Sequence, residues 1–150
     1  SDGLVFFREH RIRFQQELAR KTRGLPTSID KRLDLFCEKL GTLLDLKDEK
    51  PALLHGDLWS GNYFASHDQI PYIFDPAVYF GLRETDLAMT EMFGRLPQEF
   101  YSTYQEVFPT QPGYSERKDI YNLYHLLNHY NLFGGSYLEQ ADQTVRSFLD

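Results

Sequence analysis

The sequence predicts a mostly helical α+β domain, and three observations support this prediction. Apolar residues recur at helical spacing through the first and last thirds of the 150-residue chain. The middle third instead carries two short strand-like runs, residues 63–65 and 72–74, separated by a polar loop. At this length one domain buries a continuous core without disulfides or a structural metal. We therefore expect helices, a small hairpin and then helices again.

Two helices are predicted before the hairpin, each with one apolar face. The first spans residues 4–23 and the second begins near Thr27. Because residues three or four positions apart share a helix face, we expect the large apolar residues of each helix to enter the core. They are Leu4, Phe7, Phe14 and Leu18 in the first helix, and Ile29, Leu33, Phe36, Leu40 and Leu44 in the second.

Four more helices are predicted after the hairpin. They cover residues 85–93, 97–107 and 115–133, and a last helix follows the pair Gly134-Gly135. The longest of them has an apolar stripe that is also expected to be buried. That stripe consists of Ile120, Leu123, Leu127 and Tyr130.

Composition and charge exclude several classes of function. The net charge is −6, and Lys and Arg are scattered along the chain. Since phosphate neutralisation supplies most of the affinity for nucleic acid, we expect no nucleic-acid partner. No stretch approaches the roughly 18–20 apolar residues of a membrane span, so no membrane partner is expected either. The single cysteine, Cys37, has apolar neighbours and is predicted to be buried, which favours a reducing compartment such as the cytoplasm.

One stretch of the middle third carries residues suited to chemistry. Residues 55–62 are His-Gly-Asp-Leu-Trp-Ser-Gly-Asn, and Asp75 follows the second predicted strand. The catalytic loop of kinases has His, Asp, Leu and Asn at this spacing, with Arg at the position of Gly56. Phosphoryl transfer needs a carboxylate that accepts the proton of the attacking hydroxyl, and oxygen ligands for Mg²⁺. Because a tight hairpin joins them, Asn62 and Asp75 are expected to lie close together.

These motifs resemble those of a known family. The His-Gly-Asp form is similar to the aminoglycoside phosphotransferase and choline kinase branch of the protein-kinase-like fold. The longer strings at residues 53–62 and 75–77 resemble the fructosamine kinase family specifically. Further similar strings lie at residues 86–89, 92–94, 127–129 and 132–134. The resemblance implies the C-terminal lobe of a protein-kinase-like fold, with the metal site on the hairpin.

The resemblance also implies an activity and a role for each motif residue. Members of the family use ATP to phosphorylate a sugar hydroxyl of ketosamines, which are adducts of sugars with amines such as lysine. Asp57 would be the catalytic base, and Asn62 and Asp75 would be the Mg²⁺ ligands. The expected partner is therefore a small ketosamine or a glycated lysine, and the implied process is protein deglycation.

Five further residues are expected to support the site. Trp59 stands beside the catalytic Asp and is expected to form a platform for the sugar or amine, or to pack beneath the loop. Asn128 and His129 belong to a family-like string and are expected to line the substrate side, with simple packing as the alternative. His55 is predicted to brace the loop. Asp86 is expected to hold the loop backbone, although the helix dipole alone also favours a carboxylate in a first turn.

Two motifs of complete kinases are missing from the sequence. It contains no glycine-rich G-x-G-x-x-G loop and no Val-Ala-Ile-Lys strand, which together clamp ATP in kinases. We therefore expect residues 1–150 to be a catalytic lobe without the N-terminal, ATP-clamping lobe, and to be inactive alone. Two alternatives stay open at this point. In the first, the activity is that of a kinase whose acceptor is an aminoglycoside, choline or another small alcohol. In the second, the chain is a catalytically inactive, truncated kinase-like module.

Overall fold

A computed structural model of the chain describes residues 2–46 and 49–149 and shows the predicted α+β architecture. Within these residues the helices are α1 (Asp2–Phe6), α2 (Phe14–Thr22), α3 (Thr27–Leu44), α4 (Glu84–Met92), α5 (Gln98–Val107), α6 (Tyr114–Phe133) and α7 (Tyr137–Leu149). The strands are β1 (Ala52–Leu54), β2 (Tyr63–Ala65), β3 (Pro71–Ile73) and β4 (Tyr79–Gly81). Helix α3 begins at the predicted Thr27, and helices α4 to α6 begin and end within about one residue of the predicted bounds. None of the described helices is both long and apolar enough to cross a membrane.

The first predicted helix contains an irregularity that moves its apolar face. A π-helical stretch, Phe7–Arg13, joins α1 to α2 without a break. Because π-helical hydrogen bonds span five residues rather than four, the stretch changes which residues face the core. Phe7 and Ile12, five positions apart, are buried. The prediction that Phe14 belongs to this face is wrong, since its side chain is 57% exposed.

The core lies between the N-terminal helices and the C-terminal helix pair. Helix α6 packs against α2, α4 and α7, and α3 packs against α7. The apolar stripes predicted for α3 and α6 are buried, with Ile29 half-buried at one end, and Cys37 is buried as predicted. The largest fully buried side chains on these two helices are Leu33, Phe36, Leu40, Leu44, Ile120, Tyr121, Leu123 and Leu127.

The four strands form two small antiparallel sheets, only one of which was predicted. Strands β2 and β3 form the predicted hairpin, in which Phe64 is opposite Tyr72. The second strand of this hairpin begins at Pro71, one residue earlier than predicted. Strands β1 and β4 form a second sheet that the sequence did not reveal, with Leu53 opposite Phe80. Their pairing brings the residues after β1 next to the residues before β4.

A buried ion pair fixes the start of α4 against α6. The Glu84 side chain is 1% exposed, and both of its carboxylate oxygens accept hydrogen bonds from Arg117 Nη2 at 2.9 Å. The hydroxyl of Tyr121 also donates to Glu84, at 3.0 Å. Since a buried charge is tolerated only when it is paired and hydrogen-bonded, this cluster leaves the first turn of α4 little freedom. Asp86 lies in that turn.

Candidate active site

The loop that follows β1 is held by a carboxylate from α4. The Asp86 carboxylate accepts hydrogen bonds from the backbone N–H of His55 at 2.7 Å and of Gly56 at 2.9 Å. Burial raises the pKa of Asp86, and the two N–H donors oppose part of that rise. This is the contact that a loop-holding role for Asp86 requires.

Gly56 allows the loop to pass close to the chain that precedes β4. Its backbone has φ +83°, and a Cβ at this position would clash with the carbonyl oxygen of Ala77. The Ala77 N–H donates to the His55 carbonyl oxygen at 2.8 Å, which closes the two segments on each other. Only glycine combines this left-handed conformation with so close an approach.

Asp57 and Asn62 are hydrogen-bonded to each other across the loop. Asn62 Nδ2 donates to the Asp57 backbone oxygen at 2.9 Å and to Asp57 Oδ2 at 3.0 Å. Both partners are acceptors, so the orientation of the Asn62 amide is determined, and its Oδ1 faces away from Asp57. Asn62 is only 6% exposed. The loop therefore presents one carboxylate and one amide oxygen in fixed positions.

His55 links this loop to the segment that carries Asp75. The Asp57 N–H donates to His55 Nδ1 at 3.3 Å, so in the neutral ring the proton is on Nε2. His55 Nε2 then donates to the Phe74 carbonyl oxygen at 3.0 Å. The Phe74 N–H donates to the Asn62 carbonyl oxygen at 3.1 Å. These contacts place the backbone next to Asp75 directly against the loop.

Asp75 adopts a conformation that is uncommon for a non-glycine residue. Its φ is +54°, in the left-handed region that Asp tolerates better than most residues. Its carboxylate is exposed and, among the described residues, has no hydrogen-bond or ion-pair partner. Unusual backbone conformations of this kind cluster at functional sites. Asp75 directly follows Phe74, whose N–H contacts the Asn62 carbonyl oxygen, and an exposed carboxylate at this place in the chain is what a cation-binding role would require.

The donor chemistry of this site fits magnesium. Mg²⁺ is usually held by one or two protein oxygen ligands together with water and substrate phosphates. The Asn62 amide oxygen and the Asp75 carboxylate would supply two such ligands. Across residues 2–46 and 49–149, no group of three or more His, Cys, Asp or Glu side chains could hold a metal ion. An all-protein cage is thus not what these residues offer.

Asp57 lines a pocket whose other walls are mostly aromatic. The cavity has a volume of about 390 Å³ and lies where the loop meets α4, α6 and α7. The His129 ring is central to one wall, with centroid distances of 5.2 Å to Phe93, 5.6 Å to Phe133 and 5.1 Å to Tyr137. The full lining is Asp57, Trp59, Met89, Phe93, His129, Phe133 and Tyr137.

The His129 ring has a defined orientation and tautomer. Its Nδ1 lies 2.7 Å from the His125 carbonyl oxygen, which can only accept, so Nδ1 carries a proton. In the neutral ring Nε2 is then an acceptor. The pocket therefore combines aromatic faces with two acceptor groups, the His129 imidazole and the Asp57 carboxylate.

Comparison with known proteins identifies the family. A sequence profile of the fructosamine kinase family matches residues 1–150 of the chain. The chain belongs to the fructosamine kinase family. The resemblance drawn from the loop motifs is therefore confirmed.

Relatives of this fructosamine kinase family member agree in sequence and in structure. It is 51% identical over 145 residues to a probable ketoamine kinase of Vibrio parahaemolyticus, covering 97% of this chain and 49% of the relative. It is 43% identical over 149 residues to a chloroplastic protein-ribulosamine 3-kinase of Oryza sativa subsp. indica, covering 99% and 43%.

A crystal structure of a Thermobifida fusca protein, provisionally named a fructosamine-3-kinase, superposes with a TM-score of 0.88 at 34% identity. The match covers 97% of this chain and 50% of that protein. The chain spans about half the length of these relatives.

The structure brings together most of the residues that the sequence singled out. Asp57, Trp59 and His129 line one pocket, while His55 and Asp86 contact the backbone of the loop. Asn128, which was expected to line the substrate side together with His129, does not line that pocket. Its Oδ1 accepts a hydrogen bond from Gln15 Nε2 at 3.3 Å, between α6 and α2.

Four of the pocket residues were not predicted from the sequence. Met89, Phe93 and Phe133 lie in the family-like strings at residues 86–89, 92–94 and 132–134, so a signal for them was present. Tyr137 carried no comparable signal. It reaches the pocket only because α7 turns back at Gly134-Gly135, a geometry that sequence spacing does not specify.

Proposed function

We propose that the protein carrying this chain transfers the γ-phosphoryl group of ATP to a hydroxyl of a ketosamine. Membership of the fructosamine kinase family supports kinase activity with ATP as co-substrate. The observation that carries the proposal is the position of Asp57. Its carboxylate is oriented by Asn62 and at the same time lines an aromatic pocket of a size that suits a sugar derivative.

In this proposal the aromatic pocket is the acceptor site. Aromatic faces pack well against the C–H faces of sugar rings, and they also attract cations such as the ammonium group of a ketosamine. The Asp57 carboxylate would add electrostatic attraction for that ammonium. His129 Nε2 would accept a hydrogen bond from a sugar hydroxyl. Trp59 and His129 thus keep the substrate roles predicted for them.

Asp57 would act as the general base. As the hydroxyl oxygen bonds to the γ-phosphorus and the bond to ADP breaks, the hydroxyl proton passes to the Asp57 carboxylate. Asn62 Nδ2 already donates a hydrogen bond to Oδ2 of this carboxylate, which leaves Oδ1 to accept one from the substrate hydroxyl. Positioned proton transfer of this kind contributes roughly 10²–10⁴ in rate.

We further propose that Asn62 and Asp75 hold Mg²⁺ at the nucleotide phosphates. The ion would neutralise negative charge that develops on the transferred phosphoryl group. The exposed rings of Phe64 and Phe74 contact each other at 5.8 Å between centroids. In sequence, Phe64 lies two residues after Asn62 and Phe74 directly precedes Asp75. They offer an apolar surface for the flat base of the nucleotide.

The proposed domain assignment is that residues 1–150 form the C-terminal catalytic lobe. No glycine-rich phosphate-binding loop occurs in the sequence, so we propose that a separate ATP-clamping lobe completes the site. The chain by itself is then expected to bind an acceptor without measurable turnover. Its proposed location is the cytoplasm, where the buried Cys37 thiol stays reduced.

A chimera tests the proposed reaction. The chain would replace the matching half of the Vibrio parahaemolyticus relative, and ADP release would be measured with fructosyl-lysine, ribulosyl-lysine, an aminoglycoside and choline. Phosphorus NMR would identify the phosphorylated product. We expect turnover with one or both ketosamines. Turnover of the aminoglycoside or choline alone, in a folded chimera, would contradict the proposed acceptor.

A substitution in the chimera tests the metal assignment. Asp75→Ala is expected to lower kcat by roughly 10³-fold or more, since a bound metal supplies several kcal/mol of transition-state stabilisation. Asp68→Ala is the matched control, because Asp68 is an exposed Asp in the loop of the same hairpin. Unchanged kcat in Asp75→Ala would remove Asp75 from the metal site.

A further inference from the structure

The indole ring of Trp59 occupies the space of a side chain at position 61. A Cβ added to Gly61 would overlap Cζ2 and Cη2 of Trp59 and lie 2.7 Å from Cε2. Six glycines of the described chain have positive φ, and Gly61 is not among them. Its backbone conformation is therefore open to L-residues, and the three atoms nearest to the added Cβ all belong to the Trp59 ring.

Two further contacts hold this arrangement in place beside the catalytic carboxylate. The Trp59 ring meets the Phe93 ring edge to face, with centroids 6.4 Å apart and planes at 80°. The intervening Ser60 hydroxyl donates to the Phe93 carbonyl oxygen at 2.9 Å. Both rings line the pocket that contains Asp57. The Trp-Ser-Gly segment thus acts as one unit that builds a wall of the acceptor site.

We propose that Gly61 is a positioning residue that strengthens ketosamine binding in this pocket through Trp59. The absence of a side chain at position 61 lets the indole fold back over the turn and present a flat face beside Asp57. That face suits the ring of a cyclic ketosamine. This inference rests on the proposed acceptor role of the pocket.

The consequence of a larger residue at position 61 is predictable. The clashing atoms are at the far end of the Trp59 side chain, which moves more easily than backbone. Gly61→Ala is therefore expected to displace the indole without disturbing the fold. The loss of one aromatic contact corresponds to roughly three- to tenfold weaker ketosamine binding.

The chain contains a natural probe for this test. Trp59 is its only tryptophan, so the intrinsic fluorescence of the 150-residue chain reports the position of this ring directly. Emission maximum and acrylamide quenching would be compared between wild type and Gly61→Ala. Binding of Nα-acetyl-fructosyl-lysine would be measured by calorimetry. We expect both a changed emission and weaker binding in Gly61→Ala.

The matched control is a Gly→Ala substitution at a position where the added Cβ meets no clash. Gly41 lies within α3, away from the pocket, and an added Cβ would make only a normal 3.5 Å contact with Leu4 Cδ2. Gly41→Ala is expected to leave both emission and ketosamine binding unchanged. A parallel loss in this control would show that the effects of Gly61→Ala are not local, which would overturn the inference.

Gly61→Ala could act by displacing the Trp59 ring or by distorting the backbone turn, and the same substitution in a Trp59→Leu chain separates the two. Asn62 N–H donates to the Trp59 carbonyl oxygen at 2.9 Å, so a shift of this turn would also move Asn62. In a Trp59→Leu chain, Gly61→Ala is expected to weaken ketosamine binding no further. A persisting loss in that background would overturn the inference, as would unchanged emission and affinity in Gly61→Ala alone.

Failure of the proposed function gives a different pattern. If the wild-type chain bound no ketosamine while Gly61→Ala still shifted the emission, the positioning of Trp59 would be supported and the proposed acceptor class would be wrong. An emission that does not respond to Gly61→Ala would overturn the positioning role, whatever the wild-type chain binds.

Discussion

Removing the Asp86 carboxylate should destabilise the protein through the loop it holds. Asp86→Ala leaves the backbone N–H groups of His55 and Gly56 without the acceptor they have at 2.7 and 2.9 Å. Each orphaned N–H costs about 1–3 kcal/mol. Asp86 is half-buried, so water would compensate part of this loss, and burial of the carboxylate itself is unfavourable. We therefore expect the free energy of unfolding to fall by about 2–4 kcal/mol.

The control variant isolates the loop contacts from the helix dipole. Asp86 is the third residue of α4, and Glu139 is the third residue of α7, where it is exposed. Glu139→Ala should lose only the dipole interaction, about 0.3–1 kcal/mol. Urea unfolding at neutral pH, followed by circular dichroism, would give both values. Hydrogen exchange of the His55 and Gly56 amides should accelerate in Asp86→Ala alone.

One result would refute this reasoning about Asp86. If Asp86→Ala and Glu139→Ala lost the same free energy within about 0.5 kcal/mol, and the Gly56 amide exchanged as slowly as in wild type, the carboxylate would be an ordinary first-turn residue. Asp86→Asn refines the measurement. It keeps one oxygen acceptor, so its loss should be about half that of Asp86→Ala.

Two other predictions follow from the helices. Ile12→Ala should lower the free energy of unfolding by about 2–5 kcal/mol because Ile12 is fully buried. The exposed Phe14 is the comparison, and Phe14→Ala should change this free energy by about 0.5 kcal/mol. Equal losses in urea unfolding would contradict the finding that the π-helical stretch turns Ile12, and not Phe14, towards the core. Burial lowers the pKa of His125 to about 3, against about 6.5 when unfolded. The contribution of neutral His125 to the free energy of unfolding is fully present above pH 6.5, the pKa in the unfolded chain. It is lost as the pH falls from 6.5 towards 3, by at most about 1.4 kcal/mol per pH unit. His125→Gln should flatten this slope in unfolding experiments between pH 7 and 4, and an unchanged slope would contradict the assignment.

The parts of the fold that the sequence predicted correctly share a physical cause. Helix α3 and helix α6 are regular, so the 3.6-residue period alone determined which residues are buried, from Leu33 to Leu44 and from Ile120 to Tyr130. The hairpin β2–β3 is equally local, because its strands are joined by a short polar loop. Where an element keeps regular geometry, the local spacing of apolar residues is sufficient to predict which side chains are buried.

The parts that were missed depend on long-range or irregular geometry. Strands β1 and β4 are three residues each and are separated by the whole loop and hairpin, so neither has a readable period. The pocket residue Tyr137 depends on how α7 packs on α6. At the candidate site, motif spacing identified Asp57 and its neighbours, whereas most of the aromatic residues of the pocket lie on or next to helices distant in sequence.

The irregular first helix also contacts Tyr79 of β4, a residue that lies next to the loop after β1. Arg11, within the π-helical stretch, places its guanidinium 3.9 Å from the centroid of the Tyr79 ring. Tyr79 also lies next to the loop, since a Cβ on Gly56 would be 3.2 Å from Tyr79 Cδ1. Phe6 stacks on the same tyrosine at 5.4 Å. The π-helical stretch therefore places Ile12 in the core and Arg11 against Tyr79. Because π-helical segments often occur at functional sites, we attribute this stretch to the Arg11 contact with Tyr79 as well as to core packing.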